Sequence, residues 1–289
     1  MEDIKAALAA GKLLIADGAT GTMLMAAGLE AGRAPELWNV ERPEDILALH
    51  RAYVDAGSNI FLTNTFGGNR TTLSRHGLGA RVRELNLAGA RLAREVAGDG
   101  VYVAGDMGPT GALLKPYGPM SQEEALDVYT EQASALAEGG VDLLWIETMS
   151  ELGEIKAAIQ GALTTGLPVF CTMSFDGNAR TMMGVRARVA AQQLWPLGLT
   201  AIGLNCGEGL EMVPKVLEEL RAGAPEAVLI AKPNAGLPRV EAGRTVYDVM
   251  PQAFAEASAR FVALGAQVLG SCCGSGPDYI RALAERFAS

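Results

Sequence analysis

Two cysteines stand side by side in VLGSCCGSG, Cys272 and Cys273. A third, Cys206, closes the run LTAIGLNC, and a fourth, Cys171, lies inside PVFCTMSF. A vicinal pair alone admits several chemistries: a strained disulfide, two packed thiols, a redox switch or a pair of metal ligands. A third thiol at the end of another apolar run changes the weighing. Three thiolates with one open position is a catalytic zinc pattern, whereas four protein ligands would close a structural site. Neither histidine completes such a set: His50 sits in a helical stretch among apolar residues and His76 in the turn RHGLG, as packing or surface residues. A regular strand sends successive side chains to opposite faces. Both adjacent sulfurs can therefore reach one point only where the chain leaves strand geometry, and Gly270, Gly274 and Gly276 supply the freedom for that bend.

The thiols need elements to hold them. Eight short, β-branched apolar runs recur along the chain: LLIADG, NIFLTNTF, VYVAGDMG, VDLLWIET, PVFCTMSF, LTAIGLNC, VLIAKPN and AQVLGSCC. Each reads as a strand covered on both faces. Helical stretches separate them. In SQEEALDVYTEQASALAEGG, Ser121 and Glu124 form a capping box, and Leu126, Tyr129, Ala133 and Leu136 share a face up to the Gly139–Gly140 stop. RPEDILALHRAYVDAGS repeats the plan with Pro43 at its start and Gly57 at its end. Eight strand–helix units imply a parallel sheet with right-handed crossovers, closed most simply as an α/β (β/α)8 TIM barrel spanning residues 1–289 as one domain. An open doubly wound sheet is the alternative, but DGATGTM lacks its G-x-G-x-x-G fingerprint.

Active sites of such barrels lie at the C-terminal ends of the strands. Those ends carry Asp17, Asn64, Asp106, Glu147, Ser174, Asn205, Cys206, Asn234, Cys272 and Cys273. Cys171 lies mid-strand and reads as an inert core thiol. The 289 residues carry a net charge of −9 without a Lys/Arg cluster, which argues against nucleic acid or an anionic membrane as partner. The start MEDIKAALAAGK lacks a signal-peptide pattern, and no apolar run approaches the ~20 residues of a spanning helix. A cytoplasmic protein with reduced thiols is expected.

The motifs DGATGT, TNTF, IET, GLNC, KPNAGLP and GSCCG occur in an order that resembles the homocysteine S-methyltransferase family across essentially the whole chain. That family includes betaine–homocysteine methyltransferase and the homocysteine module of cobalamin-dependent methionine synthase. The resemblance implies that Cys206, Cys272 and Cys273 ligate Zn2+ and that homocysteine is methylated to methionine. It assigns the substrate ammonium to Asp17 and Glu147, though Asp17 also suits a turn cap. Backbone N–H groups of Gly18, Ala19 and Thr20 are placed to receive the substrate carboxylate. Asn234, between the two cysteine-bearing strands, is expected as an oxygen ligand in the fourth position before substrate arrives, or as a turn residue. No further catalytic side chain is expected, because an ordinary thiol of pKa about 8.5 becomes a nucleophile once metal-bound.

The methyl donor divides two ways. A small onium such as betaine wants an aromatic cage, for which Trp38, Phe66, Phe175 and Tyr117 are candidates. Arg33, Gly67 and Thr148 stand where the vertebrate betaine enzyme supplies rings, so its pocket is not reproduced. IETMSELGEIKAAI is similar to the methionine-synthase module and to bacterial stand-alone relatives. No corrinoid domain is expected within these residues, so the other donor is a corrinoid methyl carrier on a separate protein; S-methylmethionine is a third. The alternative without methyl transfer is a redox-sensing or structural-zinc barrel protein.

Overall fold

A computed structural model describes residues 2–241 and 244–287. All eight apolar runs contain a strand. β1 (Leu14–Ile15), β2 (Ile60–Leu62), β3 (Tyr102–Met107), β4 (Leu143–Met149), β5 (Val169–Met173), β6 (Ala201–Cys206) and β7 (Leu229–Pro233) precede two short antiparallel strands, β8 (Arg239–Glu241) and β9 (Arg244–Val246). β10 (Ala266–Leu269) follows, and the parallel sheet runs in the order β1-β10-β7-β6-β5-β4-β3-β2. Its two ends meet. Ala16 bridges Ile60 in parallel, the Asn59 N–H donates to the Ile15 carbonyl at 2.6 Å, and Asn59 Oδ1 accepts the Ile15 N–H at 2.9 Å. The sheet is therefore an eight-stranded barrel and not the open alternative.

Strand alternation sorts the core into two regions. Leu14 and Ala16, Ile60 and Leu62, Tyr102 and Ala104, Leu143 and Trp145, Phe170, Ala201, Ile230 and Val268 form one cluster that fills the lumen. The residues between them, such as Phe61, Val103, Leu144, Ile146, Cys171, Ile202 and Leu204, belong to the larger cluster beneath the helices. Trp145 packs edge-on against Phe170 at 5.3 Å and donates its indole N–H to Thr172 Oγ1 at 3.1 Å, giving the lumen a rigid floor. Ile4 and Leu8 of the helix Ile4–Ala9 join the lumen cluster. Tyr102, at the start of β3, donates to the Glu2 carbonyl, so this helix covers the end opposite the rim.

The helix signals hold. The helix Gln122–Glu138 starts with the Ser121–Glu124 capping box, the Glu124 N–H donating to Ser121 Oγ and the Ser121 N–H to Glu124 Oε2. Such a cap is worth about 1 kcal/mol. The helix Pro43–Asp55 ends before Gly57, whose φ of 104° is the left-handed stop. The sequence reading passes directly from the seventh apolar run to a helix and misses β8 and β9, whose three-residue spans carry no distinctive apolar alternation. No helix among the described residues is long and apolar enough to cross a membrane.

Candidate metal and substrate site

Cys206 is the last residue of β6. Ile202 and Leu204 point outward beneath the helices, so simple alternation would turn Cys206 outward as well. Its φ of +55° breaks that alternation and brings its thiol to the rim. A left-handed backbone at a residue with a Cβ is a strained state that its surroundings must hold. Asn205, fully buried, supplies part of the hold. Its Oδ1 accepts the Thr148 N–H at 2.7 Å and its Nδ2 donates to Thr148 Oγ1 at 2.7 Å. Thr148, at the end of β4, has a φ of +59° and is turned inward the same way. One amide thus ties together two strained strand ends.

The other two thiols arrive differently. β10 stops at Leu269, but ladder-like bonds continue: the Gly270 N–H donates to Ala231, Ser271 to Asp17 and Cys272 to Pro233 at 2.8 Å. Cys272 keeps the inward side of the strand. Its carbonyl then accepts the Ser275 N–H at 3.2 Å, closing a turn whose third residue, Gly274, has φ +81°. That position needs glycine, and a Cβ there would also run into the Tyr247 ring. Gly270 serves by close approach instead, since a Cβ would meet the Asp17 carbonyl at 3.0 Å and Lys232 Cγ at 3.1 Å.

The three sulfurs converge. Cys206 Sγ lies 2.9 Å from Cys272 Sγ and 3.9 Å from Cys273 Sγ, all three lie within 4.8 Å of one another, and no disulfide joins them. Tetrahedral thiolates at a Zn–S distance of about 2.3 Å would stand about 3.8 Å apart, so the donor set fits a zinc ion. Hydrogen bonds from Cys206 and Cys272 pull Cys273 down to about 3. Bonds with Cys272 and Cys273, then burial, raise Cys206; at Cys272 the Cys206 bond lowers the pKa, but the Cys273 bond and burial outweigh it. Three thiolates packed this closely repel one another, and a divalent cation is what makes them compatible. Asn234 adds an oxygen. Its Nδ2 donates to the Gly207 carbonyl at 2.9 Å, while its buried Oδ1 has no hydrogen-bond partner. An unpaired buried carbonyl costs about 1–3 kcal/mol unless something answers it.

The thiols lie in a cleft of about 810 Å³ at the C-terminal mouth. Its lining includes Asp17, Gly18, Ala19, Thr20, Asn64, Asp106 and Glu147 from the expected rim, whereas Ser174, Asn205 and Asn234 stand just outside it and brace it. Glu147 is buried, and burial together with Cys272 and Asp17 pushes its carboxyl up to about 8 against the pull of Lys232. Asp17 accepts the Leu62 N–H on Oδ2 at 2.8 Å and faces Lys232 Nζ across 3.4 Å on Oδ1. Lys232 is the functional residue that sequence reasoning missed, although KPNAGLP contains it. It is only 2% exposed; burial disfavours its charge, but Asp17, Glu147, Cys272 and Asp106 outweigh burial and raise its pKa. Removing either partner of this pair would strand a buried charge, at about 3–5 kcal/mol. A lysine ending an apolar strand was the available signal.

The remaining thiol, Cys171, is fully buried beneath the helices and pushed up to about 12 by burial. His50 is buried against Phe61, and His76 lies exposed at the cleft edge. Of the four candidate cage rings only Phe66 lines the cleft. Trp38 is buried under Arg42, Phe175 is buried elsewhere, and Tyr117 is exposed outside the cleft. The second ring at the mouth is Tyr247, which follows the unexpected β9.

Comparison with known proteins agrees with this geometry. Residues 14–287 match the family model described as homocysteine S-methyltransferase. The methionine synthase of Mycobacterium leprae (strain TN) is 35% identical over 300 residues, covering 96% of this chain and 24% of that protein. The methionine synthase of Mycobacterium tuberculosis (strain ATCC 25618 / H37Rv) is 35% identical over 299 residues, with 96% and 25% covered. The chain thus spans about a quarter of the length of these curated relatives. The metallated form of the homocysteine methyltransferase MmuM from Escherichia coli superposes with a TM-score of 0.81 at 26% identity, covering 99% of this chain and all of that one.

Proposed function

This chain belongs to the homocysteine S-methyltransferase family, and from that premise we propose that it methylates homocysteine to methionine at a zinc ion held by Cys206, Cys272 and Cys273. The observation that carries the proposal is the convergence of three sulfurs from two distant strand ends beside a cleft lined with carboxylates. A zinc ion held by Cys206, Cys272 and Cys273 would supply Lewis acidity that lowers the pKa of the substrate thiol, so that a thiolate is available at neutral pH. The protein's own groups do the rest. Glu147 and Asp17 face the substrate ammonium, and backbone N–H groups of Gly18, Ala19 and Thr20 receive its carboxylate. Asn234 Oδ1 serves as the oxygen donor in the absence of substrate, which answers its lack of a partner. Burial raises the Asp17 carboxyl and Lys232 opposes that shift, while Asn205 keeps the Cys206 and Thr148 ends turned inward. A lone pair on the substrate sulfur forms the new S–CH3 bond, while the pair of the broken bond stays with the donor.

For the donor, the mouth favours a corrinoid methyl carrier borne on another protein or domain. Met25 and Phe66 expose apolar side chains at the cleft itself, and Met182, Leu237 and Val240 expose others on the segments that follow β5 and β7, on the same end of the barrel. Phe66 and Tyr247 are the only Phe, Trp or Tyr rings among the lining residues, too few to enclose a quaternary ammonium such as betaine. Zinc-loaded protein incubated with homocysteine and, in parallel, methylcobalamin, betaine, S-methylmethionine or dimethylsulfoniopropionate is expected to form methionine with methylcobalamin. Methionine from betaine would replace the corrinoid reading, and zinc-loaded protein that binds no thiol would overturn the methyltransferase reading altogether.

A further inference from the structure

The four carboxylates that line the mouth are not equivalent. Glu36 is buried and accepts the Gly67 N–H on Oε1 at 2.7 Å. Asp17 accepts the Leu62 N–H on Oδ2, and its Oδ1, which makes no hydrogen bond, lies 3.4 Å from the Lys232 ammonium. Glu147 has a long 3.5 Å contact from Asn205 Nδ2. Asp106, at the end of β3, lines the cleft, is 5% exposed and holds a buried Oδ1 with no hydrogen-bond partner. β3 pairs with β4 so that Asp106 stands opposite Trp145, which places Glu147 two residues further along the adjacent strand on the same inward side. Burial, then Glu147, push the Asp106 carboxyl well above the ordinary carboxylate range.

Two carboxylates sharing a dry site need a cation or a shared proton between them. An alkylammonium, with three N–H donors, can meet both at once and leave a third donor free. We propose that Asp106 is a substrate-binding residue, the third carboxylate of the ammonium pocket, which with Glu147 takes the share of the ammonium that Asp17, matched by Lys232, does not. This rests on the reading of the cleft as a homocysteine site. Its consequence is specificity: the pocket selects a thiol that carries an α-ammonium over the same thiol without one.

The test is calorimetric binding of homocysteine and of 4-sulfanylbutanoate, which keeps the thiol and carboxylate but lacks the ammonium, to zinc-loaded protein. Asp106→Asn is expected to weaken homocysteine about tenfold to a hundredfold while moving 4-sulfanylbutanoate by less than about twofold, as loss of a charged hydrogen bond would. Equal weakening of both ligands would make Asp106 a structural residue and overturn the proposal. Unchanged homocysteine affinity in Asp106→Asn, with a loss in Glu147→Gln, would overturn it too while leaving the homocysteine site standing. A wild-type protein that binds neither thiol would remove that site and the proposal together.

Discussion

The ends of β6 and β10 reach one point by opposite means. At β10 the strand stops early, ladder bonds carry the chain on, and a glycine in a tight turn lets two adjacent residues face the mouth. At β6 the strand runs to its last residue, and the cysteine itself takes a left-handed backbone that glycine would adopt more easily. The first solution spends sequence on glycine, and the second spends strain braced by the buried amide of Asn205. The contrast shows that a thiol can be presented by local chain chemistry or by tertiary support, and the two fail differently when disturbed.

The most severe way to break the comparison is to delete one sulfur from each end. Cys273→Ala and Cys206→Ala are both expected to lose bound metal and all methionine formation, with melting temperatures close to wild type, as metal analysis and calorimetry would show. Retained turnover without metal would end the site assignment. Next in size is the charge asymmetry of the trio. With Cys273 pulled down by its bonds from Cys206 and Cys272, and Cys206 raised, chelator-stripped protein at pH 5 is expected to carry its thiolate on Cys273. Iodoacetamide should then label Cys273 over Cys206 by roughly tenfold or more, read by peptide mass spectrometry. Equal labelling would erase the distinction.

Smaller effects separate the two mechanisms. Gly274→Ala meets a positive φ and the Tyr247 ring, and should cost about 1–3 kcal/mol in denaturant unfolding together with zinc affinity. Gly276→Ala, without positive φ, should cost under about 1 kcal/mol. At the β6 end, Asn205→Ala should cost a comparable ~1–3 kcal/mol by leaving the Thr148 N–H unpaired, and should loosen zinc although no ligand is touched. Cys171→Ala should cost about 1 kcal/mol and leave metal content full, because that thiol faces the helices.

Much of this was legible without coordinates. Eight apolar runs announced eight strands, and the polar residues at their ends announced the rim, because strands buried on both faces are continuous in hydrophobicity and stop where it stops. The Ser121 cap and the Gly57 stop were legible for the same local reason. Glycines around Cys272 and Cys273 betrayed a bend, since glycine is where a chain puts angles that other residues avoid. Closure through Ala16 and Ile60, the left-handed turn at Cys206, the burial of Lys232 against Asp17 and the unanswered oxygens of Asp106 and Asn234 left no comparable mark. Each depends on groups brought together from dozens of residues apart. Short-range residue choice reports what a stretch does with its own backbone; which charges meet, and which remain unmet, is decided only when the strands are laid side by side.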